Sequence, residues 1–222
     1  MIIGFNDTQN FFLNNKYSCG VHILNRRFGN AEAAFQAHKT KEPQIRNIFT
    51  SLDAVSAQSL GRDLVCYNNW ENDKLRVMLT VIFEKFRQNP DILQKLINTG
   101  NQKLVAVSIS SETYWGTHEG IGKNMLGKIL MYVRNYFNAC SPSQREFLES
   151  SWDDINTELN ILKLPIKNYG IIYHSNDISK TEDSFNDCLE RIETLKIDML
   201  NYINFFLITE ESLNKATEKF VD

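Results

Sequence analysis

The clearest hydrophobic period in the chain lies between residues 70 and 86. There Leu75, Met78, Leu79, Ile82, Phe83 and Phe86 recur at steps of three and four, which places them on one face of a helix. Upstream the pattern is shorter and more broken. Residues 2–5 and 21–28 read as extended pieces, with Asn and Gly between them. From Asn30 the spacing turns helical: Asn30 suits the N-cap of a helix through Lys39, and Pro43 fits the first turn of the next. Asp53 caps a short helix that Gly61 closes. Pro90 opens another helix, ending near Gly100. Residues 103–108 predict a strand, residues 110–123 a polar loop with three glycines, and residues 124–137 a further helix. Many helices and a few short strands predict an α+β fold, mainly helical.

A shift in composition follows Cys140. Residues 143–162 predict a charged amphipathic helix, residues 164–174 a short extended stretch, and residues 178–183 a polar linker. Phe185, Cys188, Ile192, Leu195, Met199, Tyr202 and Phe206 then repeat at steps of three and four, a narrow apolar seam that must bury against something. Its partner is either the chain's own helical surface, giving a monomer, or a twin seam in a homodimer. The expected organisation is a main domain over residues 1–140 and a helical C-terminal extension over residues 141–222, the extension serving stability or assembly more than chemistry.

Composition narrows the function classes. Hydrophobic residues make up 42% and charged residues 23%, which excludes wholesale disorder. A net charge of −3 gives no long-range pull on polyanions, so any nucleic acid would be met at a small local site. Fourteen Phe, eight Tyr and three Trp leave rings to spare for a ligand. Cys19, Cys66, Cys140 and Cys188 lie far apart, with no C-x-x-C pair and no His at zinc spacing; this fits reduced thiols, with no disulfide framework and no metal centre. The opening residues lack a basic n-region and a long apolar run, and no stretch approaches the ~20 apolar residues of a membrane span. The expected location is the cytoplasm, away from membranes.

Three stretches carry candidate chemistry. On a helix from Ala31, Glu32, Phe35, Gln36 and Lys39 share one face, because seven residues make nearly two turns. That face offers a carboxylate for acid–base work and an amine for Schiff-base formation, although the same residues also suit a solvated ion-pair helix. In the second stretch, Tyr114 and Trp115 can stack on a base, and Gly116, Gly120 and Gly122 allow close backbone approach before a helix near Asn124. A surface loop with hydrophobic anchors is the alternative there. In the third, Arg62, Trp70 and Lys74 would suit a phosphorylated, ring-bearing ligand, while each alone is an ordinary surface cation or core indole.

The order of these pieces resembles the NADAR (YbiA-like) family over roughly residues 1–140. An early turn appears as Phe12-Leu13-Asn14-Asn15. The S-E-x-x-[FY]-Q-A-x-K helix appears as Ala31 to Lys39, the G-R pair as Gly61-Arg62, and W-x-x-x-K-x-x-x-M from Trp70 to Met78. Tyr114-Trp115-Gly116 and the run from Gly122 to Arg134 complete the set. Ala31, Asn14 and Thr117 depart from the family's usual residues, which bears on substrate choice.

The resemblance implies a YbiA-like single domain with a metal-free, cofactor-free N-glycosidase site. It implies Glu32 and Lys39 as catalytic groups, and Asn15, Phe35, Gln36, Arg62, Trp70, Lys74, Tyr114, Trp115, Gly116 and Asn124 as substrate-binding ones. Family members cut the bond between a ribose C1 and the exocyclic amine of a base. The expected substrate is ADP-ribosylated guanine, in a nucleotide or nucleic acid; the alternative is a ribosylamino-pyrimidine phosphate of riboflavin synthesis. A non-catalytic ADP-ribose-binding module is the rival from another class, and a toxin counterpart is left open as a partner.

Overall fold

The computed structural model describes residues 1–108, 113–140 and 209–220. The described residues up to Ala139, together with those from 209 to 220, belong to one compact unit. Its strands are β1 (Ile2–Ile3), β2 (Ser18–Ile23), β3 (Arg26–Asn30) and β4 (Leu104–Val105). Its helices are α1 (Ala31–Ala37), α2 (Pro43–Ile48), α3 (Ala54–Asp63), α4 (Trp70–Arg87), α5 (Pro90–Asn98), α6 (Met125–Ala139) and α7 (Glu210–Thr217). The α+β, mainly helical class is as expected. The apolar seam 185–206 and the elements predicted over 143–183 lie outside the described residues.

The long helix α4 is the spine. Its predicted face is buried, with Leu79, Ile82, Phe83 and Phe86 fully covered. It packs against β2, α1, α5 and α6, and Phe83 stacks on Phe137 of α6 at 5.0 Å between ring centroids. The polar side of the same helix is also buried in part. Lys85 is wholly covered, donates to the Asn14 carbonyl at 2.8 Å, and lies over the Tyr17 ring, so it ties the early turn to the spine. Burial pushes its ammonium down to about 8.

Four local expectations change. The stretch 21–28 is not one strand but the two arms of a hairpin: Leu24 and Asn25 both take positive φ, at 50° and 61°, which turns the chain back with Val21 opposite Phe28. The helix after Asn30 stops at Ala37, short of Lys39. Its end tightens because the His38 and Lys39 N–H groups reach back three residues, to Phe35 and Gln36, while the His38 ring bonds the Ala34 carbonyl at 2.7 Å. Gly61 does not close α3 but sits buried inside it, where a side chain would strike Gln36. The stretch 103–108 forms only the two-residue β4, parallel to β1, with a further bridge from Val107 to Thr117.

The end of the chain returns to this unit. Helix α7 starts with a capping box between Thr209 and Ser212 and lies on α6, burying Leu213, Thr217 and Phe220. The Arg134 guanidinium of α6 packs 4.8 Å from the Phe220 ring centroid.

Candidate active site

Helix α1 is buried along its whole length, which its four alanines permit by letting neighbours approach closely. The Asn30 side chain caps it by accepting from the Ala33 N–H at 2.8 Å. One residue into the helix, Glu32 is 8% exposed, and its own N–H donates to the Asn15 carbonyl at 3.0 Å. Gln36, one turn on, donates to Glu32 Oε1 at 2.8 Å. Desolvation pushes the Glu32 carboxyl above its ordinary range; donation from Gln36, the charges of Lys16 and Lys39, and donation from Asn15 oppose this. The buried Oδ1 of Asn15 and Oε1 of Gln36 have no partner, so two acceptors stand beside the carboxylate.

Lys39 follows in the turn beyond α1. Its carbonyl accepts from the Tyr67 N–H, and its ammonium donates to the Gly61 carbonyl at 2.8 Å. That oxygen belongs to the last turn of α3, where helix carbonyls lack helical partners and favour a cation. Burial pushes Lys39 below the ordinary lysine range; Cys66 and Glu32 oppose the shift, and Arg62 adds to it. Glu32 and Lys39 therefore sense each other's charge, each moved toward neutrality by burial. Arg62 is exposed on the last turn of α3, not beyond its end.

An aromatic wall adjoins this pair. The Phe35 ring lies 5.2 Å from Trp70 at the start of α4 and 5.4 Å, edge on, from Trp115. Trp115 meets Tyr114 at 4.7 Å, and the Lys74 ammonium sits 4.2 Å from the Tyr114 centroid while pairing with Glu71. Gly116 is buried because a side chain there would strike Ser108 and the Ala106 carbonyl. Asn124 commits both ends of its amide to the backbone, accepting from the Ala106 N–H and donating to the Leu104 carbonyl, each at 2.9 Å. Together Gly116 and Asn124 seat the Tyr114–Trp115 loop on β4, whereas the polar groups of Glu32, Gln36, Lys39 and Asn15 gather around α1.

Sequence reasoning missed three participants. Gly61 makes room for Gln36, a role invisible without knowing that α3 crosses α1. Lys123 lies 5.2 Å from the Tyr114 centroid. Glu210, from the far end of the chain, accepts from Lys123 at 3.0 Å and from Tyr114. Among the described residues no three His, Cys, Asp or Glu side chains converge as metal ligands, and no helix is long and apolar enough to cross a membrane. A cavity of 440 Å³ on the hairpin, lined by Cys19, Arg27, Phe28 and Thr50 among others, shares none of these residues.

This pair, a buried carboxylate and a half-buried amine, lies within a recognised domain. The NADAR domain model matches residues 5–138, and the chain belongs to that family. It is 30% identical over 139 residues to the N-glycosidase YbiA of Escherichia coli (strain K12), a match covering 60% of this chain and 86% of that protein. An N-glycosidase of Acanthamoeba polyphaga mimivirus is 28% identical, over 54% of this chain and 90% of its own. A riboflavin biosynthesis protein of Vibrio vulnificus (strain YJ016) is 29% identical over 150 residues, and there the match spans 65% of this chain but only 41% of that longer protein. The solved structure of E. coli YbiA superposes with a TM-score of 0.56 at 27% identity, covering 68% of this chain and 87% of that one. The chain is thus a member of a family several of whose curated relatives carry N-glycosidase names and others riboflavin-biosynthesis names.

Proposed function

We propose that this protein is a hydrolase that cleaves the bond between C1 of a phosphorylated ribose and the exocyclic amine of a base. The observation that carries the reading is the opposed shift of two neighbouring groups: burial raises the Glu32 carboxyl and lowers the Lys39 amine. A carboxyl that holds its proton nearer neutral pH can act as an acid, and an amine that sheds its proton sooner can act as a nucleophile. In the proposed sequence Glu32 gives a proton to the ring oxygen of the ribose, and the glycosylamine opens to an imine at C1. Neutral Lys39 adds to that carbon; the Glu32 carboxylate takes a proton from the attacking nitrogen and passes it to the base nitrogen, and the bond from C1 to the base breaks. Water then hydrolyses the protonated lysine-bound imine, which frees neutral Lys39, returns a proton to the Glu32 carboxylate and lets the sugar close. The single bond from Lys39 to Gly61 uses one hydrogen of the amine and leaves its lone pair free once the ammonium loses a proton.

The wall of Phe35, Trp70 and Trp115 supports a planar base as the leaving group. Between the two substrate types we favour ADP-ribosylated guanine, because a segment outside the family match reaches the edge of the wall. The names of the riboflavin relatives motivate the ribosylamino-pyrimidine phosphate as the second reading. Mass spectrometry of products released from each substrate, with Glu32→Gln as control, tests both. Release of free base amine from neither substrate by the wild-type chain would refute the activity.

A further inference from the structure

The carboxylate of Glu210 lies among three donor side chains, Lys74 from α4 and Tyr114 and Lys123 from the loop before α6. Lys123 donates to it at 3.0 Å, the Tyr114 hydroxyl donates to it, and the charge of Lys74 attracts it. Lys74 and Lys123 both lie against the Tyr114 ring, at 4.2 and 5.2 Å from its centroid. Two ammonium groups and a phenol around one anion form the donor set that a phosphate requires. Tyr114 adjoins Trp115, so this donor set flanks the wall that holds Phe35. The Glu210 carboxylate is thus an anion already present at the rim of the site. It comes from α7, which lies outside the matched domain but is docked on α6 by Leu213, Phe220 and the bond from Lys128 to Asn214 at 2.7 Å.

We propose that Lys74, Tyr114 and Lys123 form a phosphate subsite, that Glu210 is its internal occupant, and that a phosphorylated ligand enters by displacing this carboxylate. The proposal rests on the reading that the substrate carries a phosphate. The pair is exposed, with side-chain accessibilities of 59% for Lys123 and 40% for Glu210, so water competes for both groups and the contact is readily exchanged. Glu71, which holds Lys74 from the solvent side, keeps that lysine partly neutralised as well, so Glu210 restrains Lys123 more than Lys74. Anchoring of α7 by its apolar face lets the carboxylate swing out without undocking the helix. Specificity follows: ligands with a phosphate overcome the internal anion, and uncharged nucleosides gain nothing from its removal.

Calorimetric titration of the full chain with inorganic pyrophosphate tests the subsite independently of turnover. Glu210→Gln should bind pyrophosphate about fivefold more tightly than the wild type, the most that release from an exposed ion pair supplies. Adding Lys123→Ala should erase that gain, and the Lys74→Ala/Lys123→Ala chain should lose binding. Glu210→Ala, checked by thermal melting, should repeat the gain. Equal or weaker binding by both Glu210 variants overturns the proposal, as does undiminished binding by the double lysine variant. In turnover, Glu210→Gln should lower KM about fivefold for a phosphorylated substrate and not for its nucleoside. If the wild type turns over neither substrate class, the proposed activity fails while the pyrophosphate result still decides the subsite.

Discussion

Gly61→Ala tests whether the α1–α3 crossing sets the acid of the site. A β-carbon at residue 61 would strike Gln36 Oε1 and would lie 2.6 Å from its Cδ and 3.0 Å from its Cβ. The first two atoms can swing aside, but Cβ is fixed to α1, so Gln36 must leave its place or the helices must part. Replacing a helical glycine gains about 1 kcal/mol of propensity. Overpacking costs about 1–3 kcal/mol, and losing a buried hydrogen bond to a charged group about 1.5–3 kcal/mol. The cost outweighs the gain, and a net loss of about 2 kcal/mol lowers Tm by about 5 °C in a domain of this size. Donation from Gln36 is also the chief influence that lowers the Glu32 pKa, so its loss should raise that pKa further. Differential scanning calorimetry and a pH–rate profile read the two effects. A variant with wild-type Tm and an unmoved Glu32 limb would show that Gln36 does not hold the carboxyl.

Three further outcomes follow from buried charge. Glu32 binds its proton more tightly folded than unfolded, so its contribution to stability is fullest below its ordinary value of 4.5 and is lost as pH rises toward the raised value; Tm of the wild type should fall over that window while that of Glu32→Gln does not, and parallel curves would contradict the burial argument. Lys85, depressed from 10.5 to about 8, binds its proton less tightly when folded, so stability should climb between pH 8 and 10.5 by about 3 kcal/mol, measured by urea titration, and Lys85→Met should flatten the climb. Borohydride added during turnover should trap a sugar adduct on Lys39, and Lys39→Ala should abolish trapping and turnover; trapping elsewhere, or full activity of Lys39→Arg, would favour direct attack by water.

The spine was legible because a single period runs for five turns, and α4 spans Trp70–Arg87 where the pattern ran from 70 to 86. Caps at Asn30 and Asp53 and prolines at 43 and 90 mark helix starts by local chemistry, and each does so here. Helix ends were less legible. Gly61 has the residue type of a terminator but serves as clearance for Gln36, and the hairpin turn at Leu24–Asn25 uses a leucine at positive φ, which no turn preference would select. The buried side of α4 also hid Lys85: periodicity counts apolar positions, and a lysine satisfied by one carbonyl in the early turn does not register.

At the site, the face-sharing argument brought Glu32 and Lys39 together for a reason that holds only in part. On an unbroken helix the two would lie about 10 Å apart along the axis, joined only by facing the same way. Instead α1 ends at Ala37, and Tyr67 takes the Lys39 carbonyl while Gly61 takes its ammonium, so the lysine is held by α3 and by the chain leading into α4. The positions of both charges therefore depend on contacts far apart in sequence: Asn15 to Glu32, Gly61 to Gln36 and to Lys39. Motif order can carry such contacts implicitly, because a set of short matches in fixed order preserves a tertiary arrangement that none of them encodes alone. Glu210 lies beyond that order, at residue 210 where the family match ends at 138, so nothing in the motif could reveal it. What reveals it is charge placement in three dimensions: two lysines lie against one tyrosine ring, and α7 brings a carboxylate to Lys123 there.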